Sequence, residues 1–243
     1  MAEPRKIWIV GASEGIGAAL ARAYARTGAK LVLSARGGES LEALCATLGA
    51  HPLPLDLARS ESVTAAAEAL AALGPLDGAI NLAALYDPGR VDEISLERAA
   101  ELVAVNLTGS LLFVRAARPL LRPGGQLVLT ASVAGYFGLP QGQIYSATKA
   151  GVINLAETLR AEAAGAVDVR LICPGFVATR LTARNDFAMP FVQSPEQAAA
   201  RILAGLAGRR FEVHFPRRLS WPLKLLRALP YGLALPLSRR LVR

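Results

Sequence analysis

Tyr145 and Lys149 have the residue types and the spacing of a proton-transfer pair. They stand four positions apart in a segment that is predicted to be helical, and positions i and i+4 share one face of a helix. A neighbouring ammonium favours the phenolate, so we expect Lys149 to lower the tyrosine pKa from its ordinary value of about 10. That would bring the phenol closer to the range in which a general acid or base works at neutral pH. Taken alone, the spacing also fits a surface tyrosine beside a solvated lysine.

Two further polar residues precede this pair along the chain. Ser132 ends a predicted strand thirteen positions before Tyr145, and open α/β sheets bind ligands at the carboxyl ends of their strands. Its hydroxyl is suited to polarising a carbonyl oxygen. Asn106 lies inside a long predicted helix, where asparagine is a poor helix former. It therefore indicates either a catalytic contribution or a simple irregularity of the helix.

A glycine-rich turn near the start of the chain predicts a phosphate-binding site. The first predicted strand runs into Gly11-Ala12-Ser13-Glu14-Gly15-Ile16-Gly17, and a helix follows. Glycines permit a tight turn and close approach of the backbone to a pyrophosphate. The helix N-terminus adds unpaired N–H groups and a partial positive charge. The position of the turn, at the first strand-to-helix junction of a βαβ series, favours a dinucleotide site over a turn that only serves packing.

The elements that must position these residues alternate regularly between strand and helix. Strands are predicted at Lys6–Val10, Leu31–Ala35, His51–Leu55, Gly78–Leu82, Gln126–Ala131, Val167–Ile172 and Phe211–His214. Helices are predicted at Gly15–Thr27, Glu39–Leu48, Ser60–Leu73, Ser95–Arg118, Tyr145–Ala164 and Ser194–Leu206. The strands are continuous apolar runs, as in a parallel sheet that is buried on both faces. This pattern predicts a single α/β domain with helices on both faces of a parallel sheet.

Together, the GxxxGxG turn, Asn106, Ser132 and the YxxxK spacing resemble the short-chain dehydrogenase/reductase superfamily in its single-domain NADP(H)-dependent branch. The resemblance covers roughly residues 6–214. It implies a doubly wound Rossmann domain with a seven-stranded parallel sheet in the order 3-2-1-4-5-6-7. It also implies an NADP(H)-dependent oxidoreductase that interconverts a carbonyl and a secondary alcohol, as a cytoplasmic homodimer or homotetramer. A catalytically silent NADP-binding regulatory or scaffold protein is the alternative.

The resemblance also assigns roles to residues. The catalytic set would be Asn106, Ser132, Tyr145 and Lys149, with Asn106 supporting a water that relays protons to the lysine. The residues implied for cofactor binding are Gly11, Ser13, Glu14, Gly15, Ile16, Gly17, Arg36, Asp56, Leu57, Asn81, Tyr145, Lys149, Pro174, Gly175, Val177 and Thr179. Within that set, Asp56 would bind the adenine amino group and Thr179 the carboxamide of the nicotinamide. Leu82 and Ala84 depart from the NAAG segment that the family places after its fourth strand.

The end of the second strand discriminates between the two nicotinamide cofactors. It reads Ser34-Ala35-Arg36, without the carboxylate that usually receives the ribose 2′-hydroxyl of NAD. Arg36 is therefore expected to bind a 2′-phosphate through charge-assisted hydrogen bonds, which favours NADP(H) over NAD(H). Glu14 argues in the opposite direction, because many NADP-binding relatives carry a basic or small residue there.

The net charge of +8 is concentrated at one end of the chain. Residues 209–243 hold nine of the 27 cationic residues and only Glu212 among the 19 acidic ones, whereas residues 1–208 are neutral overall. Nucleic-acid binding is disfavoured, because it calls for a basic face on the body. The domain is divided into a body, 1–208, and a dependent segment, 209–243, that contains the last strand and a basic apolar tail. Basic residues beside tryptophan and leucine favour a peripheral membrane contact for this tail, and packing on a sister subunit is the alternative.

Several smaller expectations complete the sequence interpretation. Cys45 and Cys173 are expected to be buried free thiols, and neither they nor His51 and His214 form a metal-ligand pattern. The chain's start predicts no secretory signal, and no stretch reaches the ~20 apolar residues of a membrane-spanning helix. Residues 180–193 are expected to cover the substrate. Their apolar members, which would indicate a hydrophobic carbonyl substrate, are Leu181, Phe187, Met189, Phe191 and Val192.

Overall fold

A computed structural model describes residues 3–239 of the chain. The strands are β1 (Lys6–Val10), β2 (Lys30–Ser34), β3 (His51–Pro52), β4 (Leu76–Asn81), β5 (Leu121–Thr130), β6 (Asp168–Pro174) and β7 (Glu212–Phe215). The α-helices are α1 (Gly15–Ala25), α2 (Glu39–Leu48), α3 (Ser60–Ala72), α4 (Leu96–Val103), α5 (Gly109–Ala117), α6 (Gln143–Glu162), α7 (Pro195–Ala207), α8 (Arg217–Ala228) and α9 (Tyr231–Arg239). The predicted elements are thus all present, and the largest shortening is in β3, which ends at Pro52 instead of Leu55.

The strands form one parallel sheet in the order β3-β2-β1-β4-β5-β6-β7, which confirms the predicted topology. Strand β1 shows why such strands read as unbroken apolar runs. Ile7 and Ile9 pack on one face with α1, α2 and α7, whereas Trp8 and Val10 pack on the opposite face with α3, α5 and α6. Successive side chains of a strand point to opposite faces. A strand covered on both sides therefore needs apolar residues at every position.

A single long helical segment, Leu96–Leu120, replaces the predicted helix Ser95–Arg118. It comprises α4, one π-helical turn at Ala104–Thr108, α5 and a short 3₁₀ turn. By length and composition it would be able to cross a membrane, a criterion that no stretch was expected to meet. Leu102 and Phe113 are fully buried in the domain. The apolar composition of this segment is therefore the composition of a core helix.

The C-terminal segment is more regular than the sequence indicated. Strand β7 pairs with β6 at the edge of the sheet, and two helices follow it in the segment that was predicted only as a basic apolar tail. Pro230 separates α8 from α9, and Pro236 lies inside α9. Leu223 and Leu226 are buried, so part of the apolar tail belongs to the core of the domain. The terminal cations Arg240 and Arg243 lie outside the described residues.

Candidate active site

The glycine turn is shaped by close backbone contacts that exclude any side chain. Gly11 has φ +81°, and a Cβ atom on it would lie 2.6 Å from the amide nitrogen of Ala83. A Cβ on Gly17 would lie 1.9 Å from the carbonyl oxygen of Gly11. Gly17 therefore lets the start of α1 pack directly against the turn, and Gly11 lets the turn approach the loop after β4. Glu14, at the position before the helix, makes no side-chain cap, which leaves the N–H groups of the first turn available to an anion.

The cofactor fit can be tested along the carboxyl ends of the strands. Val10 of β1 is in register with Ser34 of β2 and with Asn81 of β4. The residues expected to receive the two ends of a dinucleotide thus follow adjacent strands at one edge of the sheet. Arg36 is exposed there and forms no salt bridge within residues 3–239. The glycine cradle, the uncapped helix and the free guanidinium together fit a nicotinamide dinucleotide.

Other members of the predicted cofactor set have roles within the protein as well. Asp56 accepts a hydrogen bond from the amide of Ala58 at 3.0 Å, and Asn81 accepts one from the amide of Ala83 at 3.1 Å. Both therefore stabilise the loops after their strands. Leu57 is buried in the core. A role for Leu57 in packing is accordingly well supported, and contact of its side chain with a ligand is not.

A cavity of about 410 Å³ lies at the same edge of the sheet and continues from the glycine turn. Eight of the predicted site residues line it: Ile16, Ser132, Tyr145, Lys149, Pro174, Gly175, Val177 and Thr179. The hydroxyls of Ser132 and Tyr145 and the ammonium of Lys149 thus converge on one enclosed space, although they come from two different elements. Gly11, Ser13, Glu14, Gly15, Gly17, Arg36, Asp56, Leu57, Asn81 and Asn106 are not among the residues that line it.

Ser132 is held by the turn that follows β5. Its hydroxyl oxygen accepts a hydrogen bond from the amide of Ala134 at 3.1 Å and donates one to the carbonyl of Pro174 at 3.4 Å. Gly135 ends the same 3₁₀ turn, and a Cβ atom on it would lie 2.7 Å from the carbonyl carbon of Lys149. Gly135 therefore allows the serine turn to pack directly against α6. Sequence reasoning missed this residue, although a glycine three positions after Ser132 was visible.

Burial dominates the electrostatics of the pair on α6. Lys149 is almost fully buried, and its Nζ donates a hydrogen bond to the carbonyl oxygen of Thr130 at 2.9 Å. Burial lowers the pKa of Lys149 to about 8, because a charged group is poorly solvated in the protein interior. The same nitrogen lies 5.7 Å from the centre of the Tyr145 ring.

The pKa of Tyr145 contradicts the sequence-based expectation. Burial raises it to about 12, and the hydrogen bond with Ser132 opposes this rise without reversing it. The expected lowering by Lys149 does not appear, because the ammonium points to the carbonyl of Thr130 and its own charge is destabilised by burial. The phenol is therefore firmly protonated in this arrangement, and giving up its proton would leave a poorly solvated phenolate.

Asn106 occupies the π-helical turn and is completely buried. Its carboxamide accepts a hydrogen bond from the amide of Leu85 at 2.8 Å and donates one to the carbonyl of the same residue at 2.9 Å. It also donates to the Thr148 hydroxyl at 3.2 Å. The helix is thus irregular at this residue, and the side chain ties the loop after β4 to α6, whereas a catalytic contribution stays a prediction. Within residues 3–239, no hydrogen bond joins the Asn106 side chain to Lys149.

The remaining wall of the cavity is mainly apolar. Tyr86 was missed by sequence reasoning, yet its ring stands edge-on to that of Tyr145 at 4.8 Å between centroids, and its hydroxyl donates to Asn185 at 2.7 Å. Its position shortly after β4 was the available signal. Of the five apolar residues expected to cover the substrate, only Leu181 and Phe187 line the cavity.

The other three residues of that set are placed differently. Phe191 and Val192 are about half exposed, and the Met189 sulfur accepts a hydrogen bond from Asn185. These three residues therefore do not line the cavity in this structure, and the expectation that residues 180–193 cover the substrate stays a prediction. Two residues of α8, Leu219 and Leu223, line the cavity instead. Sequence reasoning had placed them in the tail, because no pattern linked that segment to the site.

Comparisons with known proteins agree with this geometry. Residues 5–188 match the short chain dehydrogenase family. A Myxococcus xanthus (strain DK1622) protein described as an uncharacterized oxidoreductase is 32% identical over 246 residues, which cover 98% of this chain and 97% of that protein. An alcohol dehydrogenase from the archaeon Thermococcus sibiricus, solved with 5-hydroxy-NADP, is 30% identical with a TM-score of 0.80 and covers 88% of this chain and 96% of its own. A short-chain dehydrogenase/reductase from Burkholderia phymatum, solved with NAD, is 28% identical with a TM-score of 0.83. The match covers 93% of this chain and 94% of that protein.

Proposed function

Because the chain belongs to the short-chain dehydrogenase/reductase family, whose members act as oxidoreductases on alcohol or carbonyl groups, we propose that it uses NADP(H) to interconvert an apolar carbonyl compound and its secondary alcohol. The observation that carries this proposal is the convergence of Ser132, Tyr145 and Lys149 on one cavity beside the glycine turn. A catalytically silent scaffold has no physical need for these three groups in one enclosed space.

The preference for NADP(H) is supported by charge. Arg36 is exposed at the end of β2, where a 2′-phosphate would lie, and no carboxylate precedes it on that strand. Glu14, which argued against this cofactor, forms a salt bridge of 2.9 Å with Arg180. Its negative charge is thus partly compensated by a residue from the loop that follows β6. Relatives solved with an NADP derivative and with NAD both exist, so the preference needs its own measurement.

The apolar substrate is supported by the lining of the cavity. The side chains that could contact it, apart from the polar groups already described, are Leu139, Phe176, Leu181, Phe187, Leu219 and Leu223. Pockets of this kind bind ligands mainly by burying apolar surface and use few polar groups for orientation. Polar side chains on the wall include Lys149, Thr179 and Asn185, and the two that the proposal uses for orientation are Ser132 and Tyr145. A substrate with one carbonyl or hydroxyl group on an apolar body satisfies both requirements.

In the proposed mechanism, a nicotinamide held beside the glycine turn would supply the hydride chemistry. The Tyr145 hydroxyl donates a proton to the substrate oxygen during reduction, and the Ser132 hydroxyl hydrogen-bonds to that oxygen and stabilises the charge that develops on it. Lys149, with a pKa of about 8, can hold or release a proton near neutral pH beside the phenol. Asn106 fixes the main chain at Leu85 and therefore the loop that carries Tyr86.

The test compares cofactors and substrates in one assay. Oxidation of NADPH and of NADH is followed by near-ultraviolet absorbance with a panel of ketones and aldehydes that range from polar to long-chain apolar. We expect turnover with NADPH, a rise in kcat/KM with the apolar size of the substrate, and loss of turnover in Tyr145→Phe. NADPH binding without turnover of any compound in the panel would favour the silent scaffold. Equal kcat/KM with both cofactors would reject the NADP(H) preference alone.

Two predictions, one about the oligomeric state and one about the cellular location, are not addressed by this structure. The homodimer or homotetramer and the cytoplasmic location both stay predictions. Light scattering of the purified protein measures its mass in solution, and a monomer at micromolar concentration would contradict the predicted assembly. Fractionation of cells that express the chain tests the location.

A further inference from the structure

Helix α9 presents its apolar side chains to the outside. The residues that it buries are the small Ala234 and Ser238, whereas Tyr231, Leu233 and Leu237 are exposed. A helix on the surface of a globular domain normally does the reverse, with its large apolar residues directed to the core. The inversion means that the large apolar residues of α9 do not serve the packing of this domain.

Helix α8 extends the same kind of surface. Its inner side carries Leu223 and Leu226, which are buried, and its outer side carries Trp221 and Leu225. The latter two are four positions apart and so share one face of the helix. Trp221 is 59% exposed and Leu225 64% exposed, which is unusual for such large apolar side chains. The outer residues of the two helices are called the C-terminal apolar face: Trp221, Leu225, Tyr231, Leu233, Leu235 and Leu237.

The unpaired charges around this face have one sign, since Lys224 and Arg227 of α8 are paired with Glu212 and Glu157. Arg217, Arg218 and Arg239 are exposed and form no salt bridge within residues 3–239. The only acidic residue of the segment, Glu212, is already engaged by Lys224 and by the Tyr136 hydroxyl. The positive charge beside the apolar face is therefore largely uncompensated by the protein itself.

We propose that the C-terminal apolar face docks on the surface of a bilayer that contains anionic phospholipids. Leucine and aromatic side chains would enter the boundary between head groups and acyl chains, and the arginines would bind the phosphate groups. Charge complementarity favours this occupant over a second copy of the chain. A two-fold interface brings the same surface of both subunits together, and here it would bring two clusters of unpaired arginines together.

Docking would also bring the candidate active site close to lipid. Helix α8 carries Leu219 and Leu223 on the wall of the cavity and Trp221 and Leu225 on the opposite side. An apolar substrate dissolved in the bilayer would then be separated from the cavity by one helix. This consequence rests on the proposed function, whereas the docking itself does not.

The experiment measures vesicle binding of the full chain by flotation, with no substrate present. Vesicles of phosphatidylcholine that contain phosphatidylglycerol are compared with vesicles of phosphatidylcholine alone. We expect binding to the anionic vesicles only, and a loss of at least about tenfold when Trp221, Leu225, Leu233 and Leu237 are all changed to serine. Arg217→Gln with Arg218→Gln should weaken binding by about fivefold for each arginine.

A matched control separates the proposed surface from exposed apolar residues in general. Val91 and Leu96 are 80% and 84% exposed but lie elsewhere in the chain, so Val91→Ser with Leu96→Ser should leave vesicle binding unchanged. Circular dichroism and NADPH binding show whether each variant is folded, independently of turnover. Equal binding to both kinds of vesicle, or no binding by the intact protein, would overturn the proposal. A serine variant that loses self-association but keeps vesicle binding would identify a second copy as the occupant and overturn it too.

Discussion

The substitution Lys149→Met should make the protein more stable and at the same time inactive. Burial lowers the lysine pKa from 10.5 to about 8, so the folded state holds the charged form less well than the unfolded chain does. One power of ten in an acid constant corresponds to 1.36 kcal/mol, and the lowering therefore removes about 3 kcal/mol from the free energy of unfolding at pH 7. Methionine removes the charge and fills a similar volume.

The same substitution also removes one favourable contact. The hydrogen bond from Lys149 Nζ to the carbonyl of Thr130 is lost, which costs about 1 kcal/mol. The expected net gain in the free energy of unfolding is then about 2 kcal/mol at pH 7. Turnover should fall by at least about 100-fold, because the neighbouring proton-transfer group is gone.

The pH dependence gives this prediction its sharpest test. Between pH 8 and 10.5 the unfolded lysine binds more protons than the folded one, so the stability of the original protein rises with pH in this window. The methionine variant lacks that rise, and its advantage should have disappeared at pH 10.5. Unfolding in guanidinium chloride, followed by circular dichroism without cofactor, measures both curves. Lys30→Met, at an exposed position, is the matched control. A gain that is equal at pH 7 and 10.5, or a loss of stability at pH 7, would refute the reasoning.

Three further substitutions test separate parts of the site. Tyr145→Phe keeps the ring beside Tyr86 and removes the hydroxyl, so turnover should fall by about 1000-fold while NADPH binding, measured by fluorescence, stays the same; full turnover would mean that another group donates the proton. Arg36→Ala should weaken NADPH binding by about tenfold or more and leave NADH binding nearly unchanged, because only NADPH carries the phosphate that a guanidinium would bind. Calorimetry with both cofactors measures this, and an equal loss for the two would show that Arg36 does not contact a 2′-phosphate. Asn106→Ala leaves the amide and the carbonyl of Leu85 without their buried partner, so the free energy of unfolding should fall by about 2 kcal/mol or more; a change below about 0.5 kcal/mol in denaturant titrations would contradict the role assigned to this carboxamide.

The order and direction of the strands could be predicted from sequence because local patterns and a family resemblance agreed on them. The convergence of Ser132, Tyr145 and Lys149 on one cavity could then be predicted as well, because the topology of a parallel sheet brings the carboxyl ends of its strands to one edge. Long-range packing was harder to predict from the sequence. Leu219 and Leu223 reach the cavity only because α8 folds back beside β6 and β7, and nothing in the local sequence records that path.

The pKa of Tyr145 shows the same limitation in energetic terms. The sequence places an ammonium one helical turn away, and that spacing alone favours a lower pKa. What the spacing does not record is that Lys149 is buried, that Tyr145 is partly buried, and that Lys149 is turned toward a carbonyl oxygen of β5. Desolvation acts on each group in the direction that favours its neutral form. Desolvation therefore outweighs the attraction between the ammonium and the phenolate, because that attraction has its full strength only when both groups are charged.

These protonation states set the same energetic requirement for both directions of the proposed reaction. At pH 7 the phenol of Tyr145 is neutral and Lys149 is mostly charged, which is the state needed to donate a proton to a carbonyl oxygen. Alcohol oxidation needs the phenolate, and with a pKa of about 12 its formation at pH 7 costs about 7 kcal/mol. A second positive charge beside the phenol, or a turn of the Lys149 ammonium from the Thr130 carbonyl toward the phenolic oxygen, would reduce that value. Reduction leaves the same phenolate behind once the proton has been donated, so both directions require this stabilisation, and the ammonium of Lys149 is the group positioned to supply it.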